Sequence, residues 1–231
     1  MSGQPRDGGF DLDRLGERIR RLRQGSGTSL SAVARRLGIS PSALSQIETG
    51  ALQPSVSRLV EIVGVLGVPL SAVFDEDAAA PAPPPPGTAQ GTAAQGTAAL
   101  GAAHGRHPHG GRAAEEVLVS VAVARAVRPA VVDLGGGVVY RRLTPRPVPG
   151  VEFFESTYPP GAASGEEGTL LVHTGLETGV VTAGRLTFQF PDGEVELAEG
   201  DSISFPADRG HRIVNRTRAV AVSTWLTVAT C

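Results

Sequence analysis

The first third of the chain carries apolar residues every three or four positions, the spacing of one face of an α-helix. Four stripes and a shorter fifth follow one another: Leu12-Leu15-Ile19-Leu22, Leu30-Val33-Ala34-Leu37, Ala43-Leu44-Ile47, Val56-Leu59-Val60-Val63-Leu66 and Leu70-Val73-Phe74. The pattern predicts an all-α domain of five helices over residues 10–77.

The second and third predicted helices are joined by a short turn. Ser29 precedes the second stripe as an N-cap, and Gly38 follows it where a left-handed residue ends many helices. Ser40 and Pro41 then begin the third helix, since serine caps the free amides and proline is tolerated in the first turn. Gly50 ends that helix. Helix, glycine turn and helix in this order predict a helix-turn-helix motif.

Residues 78–114 have a different composition, with thirteen alanines, seven glycines and six prolines. Such a segment buries too little apolar surface to offset its ordering entropy, so we predict a disordered linker there. His104, His107 and His109 lie in this segment and are expected to be solvated.

Residues 115–231 alternate short runs of valine, threonine and phenylalanine with glycine and proline turns, a pattern typical of antiparallel strands. The predicted strands cover residues 117–123, 138–143, 152–158, 170–173, 178–181, 186–190, 194–197, 202–205, 211–215 and 219–227. Hairpin turns are predicted around Gly193 and Gly200, and residues 135–137 are expected to form a turn. Many short strands predict an all-β barrel or sandwich.

Composition removes several classes of enzyme. All 21 basic residues are arginine, so the chain lacks a phosphate-loop lysine, a pyridoxal Schiff base and a lysine general base. The one cysteine, Cys231, excludes disulfide frameworks and zinc fingers. No secretory signal is visible, and the most apolar stretch, residues 59–74, is interrupted by Glu61 and Pro69. We therefore expect a cytoplasmic protein with no membrane partner.

Charge is unevenly distributed along the chain. From Arg14 to Arg58 there are eight arginines and two acids, whereas residues 115–231 hold ten arginines and fourteen acids. The basic N-terminal part is the part expected to meet nucleic-acid phosphates.

Four segments of the helical part resemble the lambda-repressor-like (XRE) helix-turn-helix family over about residues 12–75. They are residues 19–23 (IRRLR), 30–34 (LSAVA), 38–40 (GIS) and 44–50 (LSQIETG). The resemblance implies that the third helix enters the major groove of double-stranded DNA and that the protein binds its operator as a homodimer. It implies the following DNA-contacting residues: Ser40, Ser42, Ser45, Gln46, Arg35 and Arg36.

Within this resemblance Gln46 is the strongest candidate for base discrimination, because a glutamine amide bonds adenine at two positions. Glu48 resembles the family's buried acid and is expected to pair with Arg23. For the arginines of the first two helices, Arg18 among them, the alternative to phosphate contact is a solvated helix face. Two alternatives remain for the whole domain: an antitoxin-like fold that binds protein, and a helical domain that has lost DNA binding.

Two segments of the β part resemble the motifs of the cupin family over about residues 150–231. His173-Thr-Gly-Leu-Glu177 with Gly184 resembles the first motif, and Gly200, Pro206, His211 and Asn215 resemble the second. The resemblance implies a double-stranded β-helix barrel whose mouth often holds a metal on three histidines and a glutamate. Here Leu171 stands at the family's first histidine, and Asp208 replaces a usual glycine.

His173, Glu177 and His211 remain as ligands for a divalent metal such as iron or zinc. The alternative is that these side chains bond an organic ligand or one another. Together with Gln189 they are the predicted effector pocket.

The order of the two parts resembles the XRE-cupin group of bacterial one-component transcription regulators. This resemblance implies a non-enzymatic regulator whose cupin barrel dimerises and binds a small-molecule or metal effector. Because a long flexible linker transmits force poorly, we expect the effector to change dimer geometry or dimer stability. The alternatives are a metal-dependent cupin oxygenase or isomerase with an accessory DNA-binding module, and a scaffold whose barrel binds protein.

Overall fold

A computed structural model describes residues 12–74, 121–123 and 130–229. The helical part comprises α1 (Leu12–Gly25), α2 (Leu30–Arg36), α3 (Pro41–Glu48), α4 (Val56–Leu66) and a 3₁₀ helix (Leu70–Phe74). The prediction of a fifth α-helix was therefore wrong. The last segment has five residues, and so short a piece makes the tighter i→i+3 bonds, such as the one from the Ala72 amide to the Pro69 carbonyl.

Serine side chains and glycine conformations fix the helix ends. The hydroxyls of Ser29 and Ser40 accept hydrogen bonds from the amides of Ala32 and Ala43, so both predicted N-caps are confirmed. Gly38 has a φ of +66°, a left-handed conformation that turns the chain between α2 and α3. The helix-turn-helix geometry thus follows from local residue chemistry.

A buried ion pair joins α1 to α3. The Arg23 guanidinium donates from Nε and Nη2 to the two carboxylate oxygens of Glu48 over 2.6 and 2.9 Å. The pair predicted from the family resemblance is confirmed, and it holds α3 in a fixed position on α1.

The β part consists of nine antiparallel strands within residues 130–229. They are β1 (Ala130–Asp133), β2 (Val139–Arg142), β3 (Val151–Tyr158), β4 (Leu176–Ala183), β5 (Arg185–Phe190), β6 (Gly193–Ala198), β7 (Ser202–Pro206), β8 (Arg212–Val214) and β9 (Ala221–Val228). One sheet has the order β1-β2-β3-β9-β4-β7, and the other has the order β6-β5-β8. Aromatic side chains fill the space between the sheets, with the rings of Phe188 and Trp225 5.5 Å apart.

Two predicted strands differ from the structure. Residues 121–123, the described end of the run 117–123, have no regular structure, and the first strand is instead β1. The run 170–173 forms a single bridge, Leu171 with His211, rather than a strand. The predicted linker, residues 78–114 with its three histidines, lies outside the described residues.

The helical part packs directly against the β part. The Ser57 amide and hydroxyl, in the first turn of α4, donate to the Ser164 carbonyl over 2.9 and 3.0 Å. The Gly135 amide donates to the Pro54 carbonyl over 2.8 Å. The buried apolar residues of both parts form one continuous cluster. The sequence pattern did not predict this packing.

No helix within the described ranges is long and apolar enough to cross a membrane.

Candidate functional site

The exposed face of α3 carries the predicted base-reading residues. Ser42, Ser45 and Gln46 are all exposed on this helix, so their polar groups are available to a partner. Ser40 is also exposed, but its hydroxyl oxygen already accepts the Ala43 amide over 3.1 Å. As an acceptor, the Ser40 hydroxyl caps the start of α3. Its O–H group can still donate a hydrogen bond to a partner.

The arginines of α1 and α2 that were predicted to lie on the surface differ in their contacts within the protein. Arg35 is exposed. Arg36 is exposed too, but its Nη1 donates to the Val65 carbonyl over 2.9 Å and so ties α2 to the end of α4. Arg18 is buried and donates to the Val73 carbonyl over 2.9 Å. Both readings of Arg18 as a surface residue were therefore wrong, and Arg18 joins α1 to the 3₁₀ helix.

In the barrel, the fold brings His173, Glu177 and His211 together. Their nearest ligand atoms all lie within 4.8 Å of one another. The His173 Nε2 lies 2.8 Å from Glu177 Oε1, and the His211 Nε2 lies 3.6 Å from Glu177 Oε2. Glu177 stands on β4 and His211 directly precedes β8, so antiparallel packing unites residues that are far apart in the sequence.

Backbone carbonyls orient both imidazole rings. The Nδ1 of His173 lies 3.2 Å from the Thr174 carbonyl, and the Nδ1 of His211 lies 3.1 Å from the Arg209 carbonyl. A hydrogen bond donated by Nδ1 leaves Nε2 as the atom that faces Glu177. Histidines that bind metals are held in this way, so the donor set and its orientation fit a divalent ion.

The two histidines differ in their affinity for protons. Burial disfavours the charged form of His173, but the hydrogen bond and charge of Glu177 outweigh burial and raise its pKa above 6.5. Burial lowers the pKa of His211, and the charge of Glu177 only partly opposes this effect. Near neutral pH, His211 is therefore uncharged, and its Nε2 lone pair can bind a metal ion.

Leu171 is the residue that the cupin resemblance aligns with the family's first histidine. Its amide and carbonyl exchange hydrogen bonds with the backbone of His211 over 2.8 and 3.0 Å. Its side chain is buried and lines the same cavity as the three polar residues. An apolar side chain therefore takes the position of a fourth ligand.

These residues lie at a cavity of about 350 Å³, a volume at the small end of ligand pockets. Sequence reasoning missed several of its lining residues, notably Tyr140, Glu152 and Trp225. Burial raises the pKa of Tyr140 above its ordinary value, so its hydroxyl stays neutral. In the sequence, the signal for residues on β3 and β9 was the alternation of residue types along each strand. Alternation does not distinguish residues that line a cavity from residues of a packed core.

Gln189 does not line this cavity. Its side-chain amide donates to Glu194 over 2.6 Å and accepts from Arg212 over 2.5 Å. Because Phe188 is buried against Trp225, the alternation of β5 directs Gln189 to the other face of its sheet. The prediction that Gln189 belongs to the pocket was therefore wrong.

Comparisons with known proteins agree with this two-part organisation. Residues 14–73 match the helix-turn-helix domain family, and residues 154–227 match the cupin domain family. A transcriptional regulator of the HTH_3 family from Vibrio cholerae is 21% identical, with 95% of this chain and 97% of that chain covered and a TM-score of 0.58. This similarity in fold covers both the helical part and the β part of the chain.

Two solved cupins are similar to a smaller share of the chain. A cupin-superfamily sugar phosphate isomerase from Silicibacter pomeroyi is 30% identical, over 41% of this chain and 60% of that chain, with a TM-score of 0.37. The cupin domain of an XRE-family transcriptional regulator from Enterobacter cloacae is 21% identical, over 41% of this chain and 98% of that chain, with a TM-score of 0.35. None of the curated proteins matches the chain.

Proposed function

We propose that this chain, which joins an XRE-like helix-turn-helix domain to a C-terminal cupin domain, is a sequence-specific transcription regulator whose barrel binds an effector. The observation that carries the proposal is the exposed polar face of α3. Ser42, Ser45 and Gln46 present two hydroxyls and one carboxamide on a helix that is capped at its start and fixed to α1 by the Arg23–Glu48 pair.

The polar face suits the edges of base pairs in the major groove. The Gln46 amide donates and accepts at once, which matches the N6 and N7 positions of adenine, whereas Ser42 and Ser45 accept or donate to several bases. Arg35 and Arg36 at the end of α2 and the Ser40 hydroxyl at the start of α3 are exposed and would supply contacts to phosphate. We expect such contacts to position the helix without selecting a sequence.

The small surface that one such domain can bury on DNA is the reason for proposing a dimer. A single helix-turn-helix unit buries little surface, and proteins that use it bind two half-sites about 34 Å apart. We therefore propose a homodimer on a double-stranded operator in the cytoplasm.

The barrel supplies the sensing part. His173, Glu177 and His211 would either hold a divalent metal effector with their Nε2 and carboxylate atoms or, without a metal, offer hydrogen-bonding groups to an organic effector. The effector changes operator binding only to the extent that it prefers one conformation of the chain over another.

The proposal is tested by selecting binding sites from a randomised DNA library with the full chain. The wild-type protein should enrich a two-fold symmetric sequence, and Gln46→Ala should relax preference at one position of each half-site by about 1–3 kcal/mol. Gln24→Ala, an exposed glutamine of α1, is the matched control and should leave the preference intact. Enrichment of no sequence at low ionic strength would overturn the proposed function.

A further inference from the structure

We propose that the effector of the barrel is held jointly by the cupin domain and by helix α4, and that it is a small, mostly apolar molecule with a neutral or cationic polar group. This inference rests on the proposed function and deepens it, because it names the chemistry of the effector and the element that reports its presence.

The first observation is the composition of the cavity wall. Val56, Val60, Val63 and Gly64 of α4 line the cavity. His173, Glu177, His211 and Trp225 of the barrel line the same space. A molecule that fills the cavity therefore contacts both domains at once, and its buried apolar surface adds to the contacts that hold α4 on the barrel.

The second observation concerns the rim of this cavity. Glu152 lines it and accepts hydrogen bonds from the Ser71 hydroxyl and amide over 3.1 and 3.2 Å. Next to this contact, the rings of Phe74 and Phe154 stack with centroids 5.3 Å apart. The cavity is thus bounded by residue pairs that join the 3₁₀ helix to the β part, and part of its wall is present only while the helical part is packed against the barrel.

The third observation is the charge of the wall. The titratable groups of the wall are two carboxylates, Glu152 and Glu177, two histidines and one tyrosine, and no arginine lines the cavity among the described residues. The chain has no lysine. A phosphorylated ligand is normally bound by arginine or lysine, so this wall disfavours phosphate esters. Twelve valine, leucine, isoleucine, proline, alanine, phenylalanine and tryptophan side chains complete the wall and favour an apolar body.

The position of α4 makes joint binding relevant to DNA. α4 follows α3 after the short segment of residues 49–55, and the two helices belong to one apolar cluster. Ser42, Ser45 and Gln46 are exposed while α4 is packed against the barrel. An effector that stabilises this packing therefore fixes the position of the exposed face of α3. In a dimer, that position decides whether both copies of α3 can bind their half-sites.

Gly64 provides a direct test of the wall. It is a helical glycine whose added Cβ would meet no atom within 4 Å, so the first atom of a side chain has open space there. Gly64→Phe should fill part of the cavity from the α4 side. Gly64→Ala also raises the helix propensity, more than phenylalanine does, but adds only a methyl group to the cavity wall.

The experiment uses the full chain, kept metal-free with a chelator, and 2-phenylethylamine as the probe, with 3-phenylpropanoate as an anionic molecule of similar apolar body. Trp225 is the only tryptophan of the sequence and lines the cavity, so its emission reports occupancy. We expect 2-phenylethylamine to change the emission saturably in the wild type and in Gly64→Ala. Gly64→Phe should bind it about tenfold more weakly, and the wild type should bind 3-phenylpropanoate about tenfold more weakly, each equivalent to about 1.4 kcal/mol.

Equal probe affinity in Gly64→Phe and the wild type would overturn the shared wall, provided that circular dichroism shows both to be folded. Equal binding of the acid and the amine, or no response to either, would overturn the assigned ligand chemistry. The binding-site selection on the wild-type chain, carried out with and without added cell extract, separates these failures from a failure of the proposed function, because it measures DNA binding and not binding of the probe.

Discussion

At the scale of single residues, the Arg23–Glu48 pair is the clearest case of an interaction that fixes a functional element. Both side chains are largely buried, with side-chain exposures of 11% and 3%. Glu48→Ala leaves the Arg23 guanidinium without its carboxylate partner and should lower the free energy of unfolding by about 3 kcal/mol. Urea denaturation followed by circular dichroism measures this loss.

The control for this substitution is Glu17→Ala, which removes an exposed carboxylate of α1 and should change stability by less than about 0.5 kcal/mol. A loss of similar size in both variants would mean that the ion pair is not what holds α3 on α1.

The His173 and His211 pair makes a prediction about pH. Because Glu177 raises the pKa of His173, the protonated form of His173 is favoured by folding, and its contribution to stability is lost as the pH rises through its folded-state pKa. The lowered pKa of His211 has the opposite sign, so that contribution is lost as the pH falls below 6.5. In titrations followed by NMR, His173 should have its midpoint above 6.5 and His211 below 6.5.

Assignment of the two resonances comes from the His173→Gln and His211→Gln variants. Glu177→Gln removes the charge that raises the pKa of His173, so the His173 midpoint should fall. Zn²⁺ competes with the proton on His173, and its affinity should rise with pH until His173 is neutral. Midpoints for His173 and His211 that coincide, and that do not change on Zn²⁺ addition, would contradict the geometry of the site.

At the scale of elements, local chemistry was enough to predict most boundaries. Ser29, Ser40 and Gly38 were identified from the sequence because a cap is decided by a few adjacent residues. The fifth α-helix was not predictable in this way, because a segment as short as Leu70–Phe74 takes its form from the surfaces that bury it. The same holds for Leu171, which makes one bridge to His211 where a strand was expected.

The candidate site shows the same limit. Motif spacing indicated His173, Glu177 and His211, and the fold brings these three together. Gln189 was misplaced because a pattern of alternating residues does not say which side of a strand faces the ligand until the register is known. Its actual neighbours, Glu194 and Arg212, stand opposite it on β6 and β8.

At the scale of the whole molecule, the packing of α4 on the barrel was beyond sequence reasoning. The contact from Ser57 to Ser164 joins residues 107 positions apart, and no periodicity or motif encodes such a pair. From the sequence we expected two separate domains that are connected only by a linker. The described residues instead give the domains one shared apolar cluster, which provides a shorter route from ligand to DNA-binding helix.

Gly165 allows this packing to be tested independently of any ligand. A Cβ at Gly165 would lie 2.4 Å from the Ser57 hydroxyl oxygen and 3.2 Å from the Ser57 Cβ. Gly165→Ala should therefore displace the Ser57 hydroxyl from the Ser164 carbonyl and weaken the packing of α4 on the barrel, at a cost of about 1–3 kcal/mol, the usual range for overpacking. In urea, the helical circular-dichroism signal should be lost before the backbone amide NMR signals of β3 and β9, whereas the two sets of signals should be lost together in the wild type.

The double variant Ser57→Ala with Gly165→Ala decides whether the clash is the cause. Removing the Ser57 hydroxyl removes the nearest colliding atom, so Gly165→Ala should cost less in this background than alone, and the difference is the coupling between the two positions. Additive effects would show that Gly165 and Ser57 do not meet in solution. In that case the domains act as separate bodies, and a ligand in the barrel has no direct contact with the helix that follows the reading face.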